Sequence, residues 1–178
     1  MLLCLRGTPV LYYGDEIGMV DTPITHSQLQ DPVGIRTWPV ADGRDVARTP
    51  MQWQGGPGAG FTGPDVTTWL PIGDADECNV ADQRDDPDSM LTFCRTALAV
   101  RREREDLRRG DYRPLDAPDG AWVFARGDAT TVALNLSAAA TDVTVPPGVV
   151  LLSTRRPAGD TVGPTVRLAP WEGLVIGS

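Results

Sequence analysis

The sequence predicts an α/β architecture as far as residue 110 and an antiparallel all-β domain from residue 111 to 178. Three observations predict it. Val10-Leu11-Tyr12-Tyr13 is a continuous apolar run without polar alternation, the texture of a strand buried on both faces. Asp86 to Gly110 carries the start signals, apolar stripe and stop signals of one helix. Beyond Asp111 short β-rich runs alternate with turn residues at the pitch of a small sandwich.

Taken in order, Met1 to Leu5 is apolar, far too short to span a bilayer, and lacks a signal-peptide layout. It reads as the last turn of a buried helix whose beginning lies elsewhere. Gly7-Thr8-Pro9 ends that run and the expected strand 10–13 follows. Gly14-Asp15-Glu16-Ile17-Gly18-Met19 then turns away at the strand's C-terminal end, where barrels of alternating strands and helices place their active-site loops. Asp15 and Glu16 are therefore either catalytic carboxylates or acids that tie the loop by hydrogen bonds; from spacing alone the second reading is favoured.

Val20 to Asp86 has little periodicity and is punctuated by seven prolines between Pro23 and Pro71. So long an irregular stretch in a compact domain is functional or disordered. Trp38, Trp53, Phe61 and Trp69 argue for order. At its centre Arg44 to Thr62 combines two arginines with glycines, a tryptophan and a phenylalanine, an inventory suited either to a ligand or to tight backbone packing.

The helix is expected to open on Asp86 as cap with Pro87 in the first turn. Leu91, Cys94 and Leu98 form its apolar stripe, and Arg108-Arg109-Gly110 its end, the glycine supplying a left-handed turn. The arginines at 95, 101, 102 and 104 are interleaved with acids, so a solvated helix face is the reading rather than a nucleic-acid surface. Strands are expected at Trp122–Ala125, Thr131–Leu136, Thr141–Val145, Val149–Leu152, Thr165–Leu168 and Leu174–Ile176. No cluster of acids, histidines or nucleophiles falls among them. The sequon Asn135-Leu136-Ser137 lies inside a strand pattern and is read as coincidental.

Composition limits the function classes. A net charge of −8 argues against a nucleic-acid surface and is compatible with a neutral, hydroxyl-rich ligand. Cys4, Cys78 and Cys94 are odd in number and lack metal-ligand spacing, so reduced thiols in a cytoplasmic protein are expected. His26, the sole histidine, is expected on an exposed loop. No cofactor and no metal are implied.

Gly7-Thr8-Pro9-Val10-Leu11-Tyr12-Tyr13-Gly14-Asp15-Glu16-Ile17-Gly18-Met19 resembles the segment at the eighth barrel strand of the α-amylase superfamily, glycoside hydrolase family thirteen. Arg48-Thr49-Pro50-Met51-Gln52-Trp53, followed by Ala59-Gly60-Phe61-Thr62, resembles the loop after that strand in its α-glucosidase and oligo-1,6-glucosidase branch. Asn79-Val80, Asp86-Pro87, Ser89-Met90-Leu91 and the Arg-rich helix keep the family's order. The resemblance implies the C-terminal end of a (β/α)8 barrel, comprising last strand, long loop and last helix, followed by a β-sandwich.

It also implies what the chain does not carry. The family's retaining template uses an Asp nucleophile, a Glu acid/base and a third Asp, and retention needs the two reacting carboxyls roughly 5 Å apart. In the family all three come from strands upstream of the segment matched here, and the Asn-His-Asp signature of the third does not occur in this sequence. No catalytic residue is therefore assigned, and the Asp15-Glu16 motif reads as structural. Arg48 matches the arginine at the closed end of the glucose pocket, where a planar fork of donors holds vicinal hydroxyls beside a carboxylate. Arg44 matches a second loop arginine nearer the leaving group.

The resemblance implies as ligand an α-glucoside or a malto- or isomalto-oligosaccharide, and as intramolecular partner the upstream barrel. The leading expectation is the C-terminal portion of a cytoplasmic retaining α-glucosidase, inactive alone. The alternative is a non-catalytic module that binds sugar or a partner through Trp53, Phe61 and Trp69, rings that could equally pack the loop against the barrel. A third expectation is that the first ~110 residues do not fold without their barrel, because one strand and one helix cannot bury their apolar faces alone.

Overall fold

The structure, a computed structural model, describes residues 1–41 and 43–178. It divides into two compact units, one of Leu11–Cys94 and one of Met1–Val10 with Arg95–Ser178.

In the first unit the chain is mostly irregular, with helices α1 (Pro32–Thr37) and α2 (Val80–Gln83) and the start of α3 (Met90–Glu103). The expected strand at 10–13 does not form: those residues enter no ladder, and Val10 is 77% exposed. A parallel strand is held by neighbours on each side, and no strand forms among the described residues of the Leu11–Cys94 unit, to which Leu11–Tyr13 belong. The turn after it is well built. Gly14 and Gly18 take φ of 91° and 73° around a 3-10 turn at Asp15–Ile17. Asp15 accepts the Tyr12 N–H at 2.9 Å and Glu16 the Gly14 N–H at 2.8 Å, so both acids tie the loop.

Ile17 on that turn packs with Met51, Val80 and Leu91. Gln83 fastens the same region, its Nε2 donating to the Ile17 carbonyl at 2.8 Å and its Oε1 accepting the Leu91 N–H at 3.0 Å. A second small cluster joins Ile24, Leu29 and Leu70. Helix α1 is capped by Asp31, whose carboxylate accepts the Val33 N–H ahead of Pro32 at the first helical turn. His26 is exposed, as expected.

Helix α3 corrects several expectations. It starts at Met90 and not at Pro87, and its cap is Ser89 and not Asp86: Ser89 Oγ accepts the Thr92 N–H at 3.1 Å, while Asp86 accepts the Asp88 N–H in a turn before the helix. The hydroxyl cap wins because Asp86-Pro87 closes its own short loop. The buried stripe runs through Leu91 and Ala97, and Leu98 is 43% exposed. The helix breaks at Arg104, which is extended, and α4 (Glu105–Arg109) follows. Gly110 ends α4 at φ −54°, outside the left-handed region. It is needed for space, since a Cβ there would lie 2.5 Å from the Asp106 carbonyl oxygen.

Arg101 also departs from the solvated-face reading. It is buried and donates to the carbonyls of Leu3, Leu5 and Gly7 at 2.7, 3.2 and 2.6 Å. Arg126 is fully buried beside it in the same unit, donating to Cys4, Gly110 and Asp111 carbonyls at 2.5, 3.0 and 3.2 Å. Burial first, then the Arg101 charge, pulls its pKa below the usual guanidinium value. Carbonyl oxygens stand in here for the carboxylates that buried arginines otherwise find.

Eight strands make up the rest of this unit: β1 (Tyr112–Leu115), β2 (Ala121–Arg126), β3 (Thr130–Asn135), β4 (Thr141–Thr144), β5 (Gly148–Ser153), β6 (Thr161–Val162), β7 (Thr165–Leu168) and β8 (Gly173–Gly177). One sheet runs β1-β2-β3-β8-β5-β6, antiparallel throughout, and β4-β7 forms the second. Val123, Ala133, Val150, Leu174 and Ile176 of the first meet Val143, Val166 and Leu168 of the second. At about 1.5–3 kcal/mol for each buried Val, Leu or Ile side chain, this sandwich core is the unit's main stabilising term. The six strands expected beyond residue 111 all form. Two others, β1 and β6, lie at the sheet edges; β1 contains Pro114, which an edge strand tolerates. Asn135 of the sequon is buried, its amide donating to Ala139 and Ala169 carbonyls at 2.8 Å each.

Candidate binding cleft

The Arg44–Thr62 stretch belongs wholly to the Leu11–Cys94 unit. Asp45 anchors its start. This buried carboxylate accepts the N–H groups of Gln30 and Asp31 through Oδ2 at 2.6 Å each, and its Oδ1 has no partner among the described residues. Arg44 turns outward, its Nε on Asp31 Oδ2 at 3.1 Å with the side chain 67% exposed. That guanidinium, with the Val33 N–H, holds the Asp31 carboxyl at about 2, well below the usual carboxylate range.

The next residues are fixed at three points. Thr49 is buried, its hydroxyl 3.3 Å from that of Thr22, and its carbonyl accepts the Tyr13 phenol at 2.9 Å. The carbonyls of Gln52 and Trp53 accept the Val80 and Ala81 N–H groups at the start of α2 at 3.0 Å each. The glycine-rich segment then reverses. Ala59 returns its carbonyl to the N–H of Trp53 at 2.9 Å, and Gly58, Ala59 and Gly60 take φ of 79°, 49° and 65° in succession. Glycine is required at 58, where a Cβ would stand 2.4 Å from the Thr62 carbonyl oxygen.

This folding opens a cleft of ≈ 430 Å³. Tyr13 and Glu16 line it from the 12–18 turn, Arg48, Trp53 and Phe61 from the loop, and Trp69 from beyond it. None of the three rings is core: Trp53, Phe61 and Trp69 are 49%, 52% and 62% exposed. Arg48 is half-buried, and no hydrogen bond or ion pair to its guanidinium forms among the described residues. Burial first, then Tyr12, raises the Tyr13 pKa against the opposing Arg48 charge, so the phenol stays protonated and donates to Thr49.

Of the residues singled out from sequence, the structure places Arg48 in the cleft and Arg44 on Asp31, outside the lining. Asp15 is occupied by the Tyr12 N–H; Glu16 lines the cleft while bonded to Gly14. Tyr13 was not legible as a lining residue, because its position depends on a bond to Thr49 thirty-six residues away. Chemically the cleft offers aromatic faces and a fork of donors for hydroxyl-bearing rings. Glu16 is its one carboxylate among the described lining residues, too few for a pair of reacting carboxyls. No group of three potential metal ligands exists among the described residues, and no helix there is long and apolar enough to cross a membrane.

Residues 1–110 match the family model for the alpha amylase catalytic domain, and residues 107–175 match a domain of unknown function, DUF3459. A "Probable alpha-glucosidase" of Rhizobium meliloti is 40% identical over 127 residues, covering 71% of this chain and 23% of that protein. A glucan 1,6-alpha-glucosidase of Streptococcus pneumoniae is 32% identical, covering 99% of this chain and 36% of that one. Among solved structures, the trehalulose synthase MutB of Pseudomonas mesoacidophila superposes with a TM-score of 0.85 at 27% identity, over 99% of this chain and 36% of that chain. A mutant isomaltulose synthase of Erwinia rhapontici in complex with D-glucose gives a TM-score of 0.83 at 25% identity, over 99% of this chain and 36% of that chain. The chain thus spans about a quarter to a third of the length of these proteins.

Proposed function

The chain belongs to the α-amylase family of glycoside hydrolases, and from that premise we propose that its Arg44–Thr62 loop forms one wall of a glucose pocket in a retaining α-glucosidase. The carrying observation is Arg48: a half-buried guanidinium facing a cleft walled by aromatic rings, with its donors unspent among the described residues. A guanidinium holds vicinal hydroxyls and a carboxylate at once, which suits the far end of a terminal glucose. Tyr13, fixed on Thr49, shapes the wall beside it. Arg44 is the second sugar contact in this reading, on the leaving-group side, and its bond to Asp31 sets where its guanidinium starts from. Residues 1–110 are the C-terminal end of the barrel and 111–178 a structural β-domain. The ligand is a short α-glucoside of the malto- or isomalto- type, handled in the cytoplasm.

In this reading the nucleophile and the acid/base are carboxylates of upstream barrel sequence, and this chain contributes binding and orientation but no reacting group. Holding the terminal ring in one orientation lowers the barrier by removing rotational freedom before reaction. The test is turnover of p-nitrophenyl α-glucoside. The chain alone is expected to give none. Co-expressed with the upstream part of the barrel, it is expected to give turnover whose first sugar product is α-glucose by NMR. Turnover by the purified chain alone, or a β-anomer as first product, would overturn the reading.

A further inference from the structure

Two stretches that lie thirty-six residues apart in the chain meet at one carbonyl. The phenol of Tyr13 donates to the Thr49 carbonyl at 2.9 Å, and Thr49 directly follows Arg48. Tyr13, Arg48 and Thr49 belong to the same unit and line the same cleft. The bond is internal to that unit and bears on the backbone that carries the Arg48 guanidinium.

That backbone is held before and after Arg48. The Arg48 N–H donates to the Asp45 carbonyl at 2.9 Å, closing the 3-10 turn Asp45–Ala47. Asp45 is buried and anchors the turn through the Gln30 and Asp31 N–H groups. Thr49 is buried too, its hydroxyl 3.3 Å from that of Thr22, and Pro50 after it confines its backbone to extended conformations. What these contacts leave unheld is the Thr49–Pro50 peptide. Proline brings no N–H to it, so its one polar group is the Thr49 carbonyl. Tyr13 takes that group.

The donor is itself placed by the turn that carries Asp15 and Glu16. Asp15 accepts the Tyr12 N–H at 2.9 Å and Glu16 the Gly14 N–H at 2.8 Å, so the backbone is tied on each side of Tyr13. The Tyr12 and Tyr13 rings pack with centroids 4.6 Å apart at 41°, which sets the plane of the phenol. Ile17 of the same turn packs with Met51, two residues beyond Thr49. Turn and loop therefore share a small core as well as a hydrogen bond. Burial and Tyr12 push the Tyr13 pKa up against the opposing Arg48 charge, so that charge is felt at the phenol.

We propose that Tyr13 is a positioning residue for Arg48: its phenol, placed by the Asp15–Glu16 turn, fixes the Thr49–Pro50 peptide and with it the point from which the guanidinium reaches a sugar ring in the cleft. What Arg48 grips rests on the α-glucosidase reading; that Tyr13 holds the Arg48 backbone does not. The proposal gives the two acids of the turn a part in the site without making either a reacting group.

The experiment is a double-mutant cycle in the chain co-expressed with the upstream barrel, with kcat/KM for maltose as readout. Tyr13→Phe keeps the ring and removes the donor alone. It is expected to lower kcat/KM about tenfold, ~1.4 kcal/mol, when Arg48 is present and less than about twofold in the Arg48→Ala background. Thr22→Val, which frees the Thr49 hydroxyl, is expected to show the same dependence on Arg48 and serves if Tyr13→Phe does not fold. Equal losses in both backgrounds would mean that the phenol touches sugar itself or only supports the fold, and overturn the proposal. No loss with Arg48 present overturns it as well. A second readout needs no turnover: amide exchange of the full chain at Arg48 is expected to quicken at least about tenfold in Tyr13→Phe, with strands β2 and β3 unchanged. Unaltered exchange at Arg48 overturns the proposal. Failure of the α-glucosidase reading is registered apart from these, by absent turnover or by an Arg48→Ala variant as active as the parent.

Discussion

Asp31 and Arg44 illustrate how a loop residue matched to a sugar-binding position is first a structural one. The Asp31 carboxylate caps α1 with one oxygen and binds Arg44 twice with the other, through the backbone N–H at 3.0 Å and Nε at 3.1 Å. Its pKa of about 2 lies below the ordinary 3.8. The unfolded chain therefore binds more protons, and the stabilisation is present above pH ~4 and lost as pH falls through ~2. Urea unfolding of the native chain and of Asp31→Asn between pH 2 and pH 6 reads this. The variant is expected to lose stability at pH 6 and to converge on the native chain near pH 2. A constant difference across that range would contradict the carboxylate's role. At this scale the sequence indicated the tying role of Asp15 and Glu16, which the bonds to Tyr12 and Gly14 bear out. It did not show that Arg101 and Arg126 would be buried on carbonyls, because Arg101's partners and Arg126's partner Cys4 are backbone groups more than ninety residues away in the chain.

Among the elements, strands were more legible than the barrel end. The six expected strands read correctly because each alternates or runs apolar between Gly- and Pro-marked turns, whereas β1 and β6 sit at edges where little is buried. The 10–13 run was misread as a strand because apolar texture gives burial and not the pairing partner. Helix α3 shifted its start by three residues when Ser89 outcompeted Asp86 for the cap. The cleft loop was visible as Gly-rich, but its succession of positive φ angles was not. That succession can be tested by comparing two glycines with like backbone and unlike surroundings. Gly58 and Gly56 have φ of 79° and 82°, yet a Cβ at 58 meets the Thr62 carbonyl while one at 56 meets nothing within 4 Å. Gly56→Ala is expected to cost about 1 kcal/mol of unfolding free energy, from the backbone alone. Gly58→Ala should cost at least ~2 kcal/mol, from backbone and collision together. Equal costs in denaturant unfolding would show that the tight turn does not hold the loop.

For the molecule as a whole, the family was legible because two long motifs occur in order, and it agrees with the fold class read from the helix and strand signals. The neighbouring solved structures cover the chain end to end at TM-scores of 0.83 to 0.86, while the chain spans little more than a third of each. In the proposed reading, a net charge of −8 and a cleft whose one carboxylate among the described lining residues, Glu16, is bonded to Gly14 suit a neutral ligand. The central claim is that Arg48 grips the terminal glucose. Its most direct measurement is kcat/KM for maltose of the chain co-expressed with the upstream barrel, native against Arg48→Ala. Loss of a charge-assisted, two-pronged contact present in the transition state predicts a fall of roughly a hundredfold, about 3 kcal/mol. A change of less than about twofold, within ~0.4 kcal/mol, would contradict it.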